Sequence, residues 1–223
     1  LGAQFQLNDL WTVGVRGISR EMKSGMDDAC TRQPFLDWAE DEGLDNFDID
    51  SVPGCYFINP GEDVIINADT DGDGDVELAD VPASYFGLPQ YQRTYHALEL
   101  TAERYSEKFQ LQASYTFSKS KGNAEGYVNS TLEQGDPGLT QDFDHARFAD
   151  GSWGYLPNDR THTLKLFGVY RFNDQFMVGG NFIASTGRPV NCQGYIDLAG
   201  TGIDGATTLG PYGPSSFYCL NAD

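Results

Sequence analysis

The chain has 223 residues, with 33 Asp and Glu against 14 Lys and Arg, for a formal charge of −19. Such a balance disfavours nucleic acid and anionic headgroups as partners and favours cations. No run of about 18 apolar residues occurs, so no transmembrane helix is encoded. The first residue is Leu1, with neither initiator Met nor signal peptide, as expected of a mature product or an excerpt of one.

In chain order, a first strand is expected at 10–20, where Trp11, Val13 and Val15 alternate with Thr12, Gly14, Arg16 and Ile18. A long acidic segment follows. Residues 23–90 hold 17 of the 33 acids, opposed only by Lys23 and Arg32. Alternation returns in "LELTAE" (98–103) and is strict in "FQLQASYTFS" (109–118). There Phe109, Leu111, Ala113, Tyr115 and Phe117 oppose Gln110, Gln112, Ser114, Thr116 and Ser118. In 162–172, Leu164, Leu166, Gly168, Tyr170 and Phe172 oppose Thr163, Lys165, Phe167, Val169 and Arg171. In 176–185, Phe176, Val178, Gly180, Phe182 and Ala184 share one side. A period of two over such lengths encodes strands, not helices.

The connections are lopsided. "YSEKF" (105–109) and "FNDQF" (172–176) are tight hairpin turns, whereas about 70, about 40 and at least 36 residues follow the first, third and fifth strands. Compact domains have median connections of roughly 5 residues. Short turns on one side and long loops on the other characterise outer-membrane barrels. Phe109, Phe172 and Phe176 flank the turns on the apolar parity, as an interfacial girdle requires. Alternation alone would also suit a secreted, calcium-stabilised β-sandwich acting as an adhesin or matrix protein. The loop asymmetry favours the barrel.

The fold class expected is therefore all-β, an antiparallel transmembrane β-barrel segment of about five strands. Closed barrels need about 8 or more strands, so a fragment of a larger barrel is expected. The organisation read from the sequence is a barrel strand at 1–22 and a long acidic extracellular loop at 23–92. Four strands in two hairpins at 93–187 enclose an extracellular loop at 120–160, and 188–223 is a Gly-rich extracellular loop. The charges on the polar parity, such as Arg16, Glu99, Glu103, Lys165 and Arg171, would face the lumen, or water in a sandwich.

Cys30, Cys55, Cys192 and Cys219 lie far apart and form no close CxxC pair. An even count at wide spacing favours two disulfides and an oxidising compartment. Three connectivities are possible, and so are four buried thiols. Cys30–Cys55 with Cys192–Cys219 is preferred because each pair closes one loop.

The segments "LWTVGVRGISREM" (10–22), "RTYHALELTAER" (93–104) and "LQASYTFSKSKGNAEGYVNS" (111–130) carry a resemblance. So do "TQDFDHARFADGSWGYLPNDRTHTLKLFGVYRF" (140–172) and "STGRPVNCQG" (185–194). Together they resemble the C-terminal barrel of TonB-dependent outer-membrane receptors of the Oar-like branch. The resemblance covers most of the chain and implies a barrel of about 22 strands closed by an N-terminal plug. It implies a Gram-negative outer membrane, contact with membrane lipid, and uptake of an unknown ligand with energy supplied through TonB. The chain departs from the family pattern in showing no plug, TonB box or terminal aromatic assembly signal.

The stretch "DTDGDGDVELAD" (69–80) has the spacing of a calcium loop, in which hard oxygen ligands alternate around a tight turn with Gly sixth. Asp69, Asp71 and Asp73 take the first, third and fifth positions and Gly74 the sixth. Asp75 would offer its carbonyl at the seventh and Glu77 its carboxylate at the ninth, directly or through water. The twelfth residue is Asp80, shorter than the usual bidentate Glu, which resembles a dockerin-type loop. Flanking helices are not expected, because "VINADT" reads as extended and "VPASYFG" breaks on Pro82. A solvated acidic turn is the plainer reading of the same residues. The expected cofactor is Ca²⁺ in a structural role, helped by Cys30–Cys55, since a 70-residue loop cannot hold its shape by apolar burial alone.

Other motifs carry less. "GTGIDG" (200–205) matches a dinucleotide pattern without the strand and helix that pattern needs. His96, His145 and His162 are dispersed, and no GxSxG or P-loop occurs, so no enzyme is expected. "NST" (129–131) fits a glycosylation sequon of little weight in a bacterial loop. Aromatics in "SSFYC" (215–219) and "DGSWGYLPND" (150–159) suit loop packing better than ligand contact.

Overall fold

The computed structural model describes residues 1–126, 128, 130, 142–149 and 151–190, with the backbone alone at 193–194 and 217–218. Its elements begin with β1 (Gly2–Gln6), β2 (Trp11–Met22), β3 (Asp27–Ala29) and helix α1 (Gln33–Glu42). Then come β4 (Tyr56–Ile58), β5 (Val64–Ala68), β6 (Glu77–Val81) and the one-turn helix α2 (Ala83–Phe86). The long strands β7 (Arg93–Tyr105) and β8 (Phe109–Gly122) precede β9 (Gly154–Tyr155), β10 (His162–Arg171) and β11 (Met177–Ser185). The backbone pair β12 (Gln193–Gly194) and β13 (Phe217–Tyr218) completes the series. Cys192, Cys219, 200–205 and most of 188–223 lie outside the described residues, as do parts of 129–131 and 215–219.

Two compact units emerge. The first, Leu1–Glu21 with 94–121 and 155–189, is a sheet in the order β1-β2-β7-β8-β10-β11, with β9 beside β8. Backbone pairing is antiparallel between β1 and β2, β8 and β10, and β10 and β11. Leu10 accepts from the Tyr105 N–H while Arg16 meets Glu99, so β2 and β7 also run in opposite directions.

Each tight turn is locked by one polar side chain. Asn8 Oδ1 accepts the N–H groups of Leu10 and Trp11. Ser106 Oγ bonds both the N–H and the carbonyl of Phe109. Asn173 Oδ1 accepts from Gln175 and Phe176. Side chains that satisfy the local backbone in this way fix a turn and hence the register of its strands. The first of these turns, and β1 with it, is absent from the sequence reading. "LGAQFQL" does alternate, and Ala3 and Phe5 pair with Val15 and Val13 on one face.

The second unit includes Met22–Arg93 and 122–154. A core runs through it beside the disulfide, so apolar burial contributes to its order. Ala29, Phe35, Val52, Ala68, Val81 and Phe143 are fully or almost fully buried. Helix α1 starts with Pro34 in its first turn, where a fixed φ favours initiation. It buries Pro34, Phe35, Trp38 and Ala39, and ends at Gly43, whose φ of 71° needs no Cβ. Phe35 packs edge-on against Tyr56 at 5.0 Å and Phe86 at 5.5 Å. Pro82 does not break a helix but precedes α2, which closes at Gly87 with φ 61°. The β5–β6 hairpin turns Val64, Ala68, Ala79 and Val81 inward and leaves Ile65 and Leu78 outside.

Cys30 and Cys55 form a disulfide across 25 residues, one step beyond the Ala29–Tyr56 pair of β3 and β4. Closing a loop of that size removes unfolded-state freedom worth about 3 kcal/mol. The expected local pairing is therefore present for these two cysteines. Replacing Phe35 by Ala is expected to cost the insert about 3–5 kcal/mol. Limited proteolysis of the full-length protein should then cut within 23–92 while the long strands stay protected. Equal resistance of wild type and variant would show that Phe35 does not anchor this core.

Candidate functional site

Two surfaces carry chemistry, one in each unit. In the sheet, the registers sort the side chains onto two faces. Phe109, Leu111, Ala113 and Tyr115 of β8 stand opposite Tyr170, Gly168, Leu166 and Leu164 of β10, which pair onward with Val178, Gly180, Phe182 and Ala184 of β11. The other face carries Gln112, Ser114 and Thr116 against Phe167, Lys165 and Thr163. Arg16 and Glu99 form an ion pair at 2.8 Å on this polar face, and Gln112 Nε2 donates to the Tyr105 hydroxyl at 2.8 Å.

The apolar face is open. Leu98, Leu100 and Phe117 remain 46, 45 and 42% exposed although their strands have neighbours on both sides. A soluble sandwich would bury these side chains against a second sheet, so the sandwich alternative does not hold. Lipid is the solvent such a face requires.

Both ends of the apolar face are aromatic. At the turn end, Phe109, Tyr170, Phe172 and Phe176 follow one another with centroids 4.8 to 6.4 Å apart. Arg104 lies over Trp11 at 5.9 Å and Phe109 at 5.0 Å, the position of a cation at a membrane interface. At the other end, the Tyr115 hydroxyl meets His162 Nδ1 at 2.6 Å, and Phe117 lies 5.4 Å from the same imidazole. From Phe109 to Phe117 the strand rises about 26 Å. At a tilt of ~40° this spans about 20 Å of bilayer, on the scale of the ~25 Å apolar band of outer-membrane barrels.

The second surface is the loop between β5 and β6. Asp69, Asp71, Asp73 and Glu77 each offer a carboxylate oxygen within 4.8 Å of the others. Gly72 and Gly74 take φ values of 78° and 91°, which L side chains rarely adopt. Their N–H groups donate to the two oxygens of Asp69 at 2.7 and 2.9 Å. Asp71 accepts from the Asp73 N–H and Asp73 from the Asp75 N–H. Glu77 Oε2 holds the Thr70 N–H and hydroxyl at 3.0 and 3.1 Å. Oxygens on opposite sides of a Ca²⁺ ion are about 4.8 Å apart, given ligand distances of about 2.4 Å. The four carboxylates therefore fit that ion's size and its preference for oxygen.

The sequence placed six residues in this site, and the fold gathers four carboxylates. Asp75, expected through its carbonyl, sits in the loop. Asp80 lies apart, in β6 opposite Ile65. The reason is parity: Glu77, Ala79 and Val81 point one way along β6, and Asp80 the other. A twelfth-position ligand needs the chain to curl back, and a strand carries it away.

The sheet, its lipid-facing stripe and its aromatic ends define an outer-membrane β-barrel wall. The profile of the outer membrane beta barrel domain family matches residues 80–194, just over half of the chain. The chain belongs to that family and to the outer membrane of a Gram-negative bacterium. It is similar to the TonB-dependent transporter Oar of Myxococcus xanthus, 30% identical over 148 residues. That match covers 63% of this chain and 14% of the relative, so the chain spans a small part of the curated protein it matches. No solved structure matches.

The two faces make a sharp prediction. Leu100→Arg should cost about 2–4 kcal/mol of barrel stability, because it puts a charge on the lipid face. Gln112→Arg, on the polar face, should cost under about 1 kcal/mol. Heat-modifiable gel mobility of the full-length protein in urea would rank the two. An equal effect would mean the faces are wrongly assigned.

Proposed function

We propose that this barrel wall serves a receptor that takes a ligand across the outer membrane with energy delivered through TonB, and that it is not an enzyme. The similarity to the Oar transporter carries this reading. The arrangement of connections supports it: tight turns join strands at one end, and the acidic insert leaves and returns at the other. In barrels of this kind the turns face the periplasm and the long connections the exterior. Polar side chains such as Arg16, Glu99 and Lys165 would line the interior. The insert, rich in acids, would meet the ligand first and favour cationic partners.

TonB dependence is tested with the full-length protein in detergent and the immobilised periplasmic domain of TonB. Retention on that matrix is expected, and retention equal to that on a blank matrix would remove TonB from the proposal.

We also propose that the β5–β6 loop holds a structural Ca²⁺ ion on Asp69, Asp71, Asp73 and Glu77, with the Asp75 carbonyl. Four convergent carboxylates repel one another, and a divalent ion offsets that repulsion. Asp71→Asn with Asp73→Asn should weaken calcium binding at this loop by at least ~10-fold, whereas Asp80→Asn should change it by less than ~2-fold. Calorimetric titration of the chelated protein reads both. A comparable loss with Asp80→Asn would restore the twelve-residue loop that the hairpin argues against.

A further inference from the structure

The second unit holds another group of acids, buried where most of the hairpin's are exposed. Asp27 and Asp28 belong to β3, while Asp142 and Asp144 flank Phe143, more than a hundred residues later. Their exposures are 5, 5, 3 and 3%. Phe143 explains how the later pair arrives, since its fully buried ring packs 5.9 Å from Tyr91. It does not explain why carboxylates are tolerated on either side.

The two segments meet beside the disulfide. The Cys30 backbone N–H donates to the Asp144 carboxylate. The Asp28 carboxylate lies 3.8 Å from the Cys30 sulfur, and Asp27 Oδ1 accepts from the Asp28 N–H at 2.9 Å. Asp28 Oδ1 and Asp144 Oδ1 are buried and have no hydrogen-bond partner among the described residues. A carboxylate oxygen left so is among the costliest groups to bury. Burial pushes the Asp144 carboxyl up to about 8, helped by the negative charges of Asp28, Asp27 and Asp142. Burial also raises Asp28. Among the described residues, the charged groups acting on Asp144 are all acids.

We propose that this cluster is a cation site, in which Asp28 and Asp144, backed by Asp27 and Asp142, bind a hard divalent ion of the calcium class. The ion clasps the 142–149 segment to the disulfide-bonded core. Oxygen donors select a hard ion. The neighbouring sulfurs of Cys30 and Cys55 are tied to each other, so no thiolate is present to draw a soft one. Calcium tolerates irregular shells completed by carbonyls and water, which suits carboxylates approaching from two separate segments. The site is independent of the hairpin loop, whose acids are not among those acting on Asp144.

The test uses the full-length protein from outer membranes, stripped with chelator and re-equilibrated with calcium, with bound metal counted by atomic emission. Asp28→Asn with Asp144→Asn should lose one equivalent of calcium that Asp71→Asn with Asp73→Asn retains. Tryptic cleavage at the exposed Arg147 should rise at least ~10-fold on chelation of the wild type, as a lost metal clasp implies, and be calcium-independent in the Asp28/Asp144 variant. An unchanged calcium count in that variant overturns the site, whatever the hairpin variant shows. So does equal stabilisation by the two Asn residues with and without calcium, because protons would then be neutralising the cluster. Should the double variant fail to form its disulfide, Asp144→Asn alone is read: an affinity loss of at least ~10-fold is expected, and unchanged affinity overturns the proposal.

Discussion

Inside a bilayer no water is available to a backbone N–H or C=O, so a spanning strand must bond neighbours on both sides. Most of what is ordered in the first unit follows from that constraint. β2, β7 and β10 each have two partners and β8 has β9 as a third, while β1 and β11 have one. An outer-membrane sheet cannot leave those edges bare, so the wall seen here is an arc of a wider cylinder. Alternation is the second consequence. Once every backbone group is paired, side chains can only point to lipid or to lumen. A slip of one residue would exchange the two sets. The side chains of Asn8, Ser106 and Asn173 guard against such slips from the turn end.

The second unit has other sources of order. A core around Phe35, Val52, Val81 and Phe143 supplies apolar burial, and one disulfide limits the unfolded chain. Against these stand many carboxylates, some exposed on the hairpin loop and some enclosed with Asp144. Acidity on this scale is tolerable where metal ions or protons offset it, and it gives the two long connections a common chemistry. Bound calcium would thus act on this unit alone, leaving the sheet to the membrane.

The strands were legible in the sequence because their period is uniform over nine or more residues. β1 was missed for its length: five residues, though "LGAQFQL" alternates throughout. The core of the insert was illegible for a different reason. Phe35, Val52, Ile58, Val81 and Phe86 come from two short helices, a turn and strands of three to five residues, too short to show a period. Their acidic neighbours make the stretch look solvated. Local spacing served where the geometry is local: Asp69, Asp71 and Asp73 do lie together, and Cys30 is joined to Cys55. Asp80 stands apart from them, because position twelve depends on whether a strand or a helix leaves the loop. Local spacing gave no hint of Asp28 beside Asp144, which only the fold brings together.

The ends of the first long connection lie closer than its length suggests. Extending the register that sets Leu10 beside Tyr105 and Arg16 beside Glu99 brings Met22 beside Arg93. The strands on either side of the insert are thus joined as neighbours before it begins, and a turn of a few residues would span the same gap. The insert carries its own cross-link and most of a core that Phe143 of the later connection completes. The pairing of β2 with β7 is set within the sheet, whatever length of chain joins Met22 to Arg93. Diversity in what such a barrel meets at the surface need not disturb the part that the membrane holds fixed.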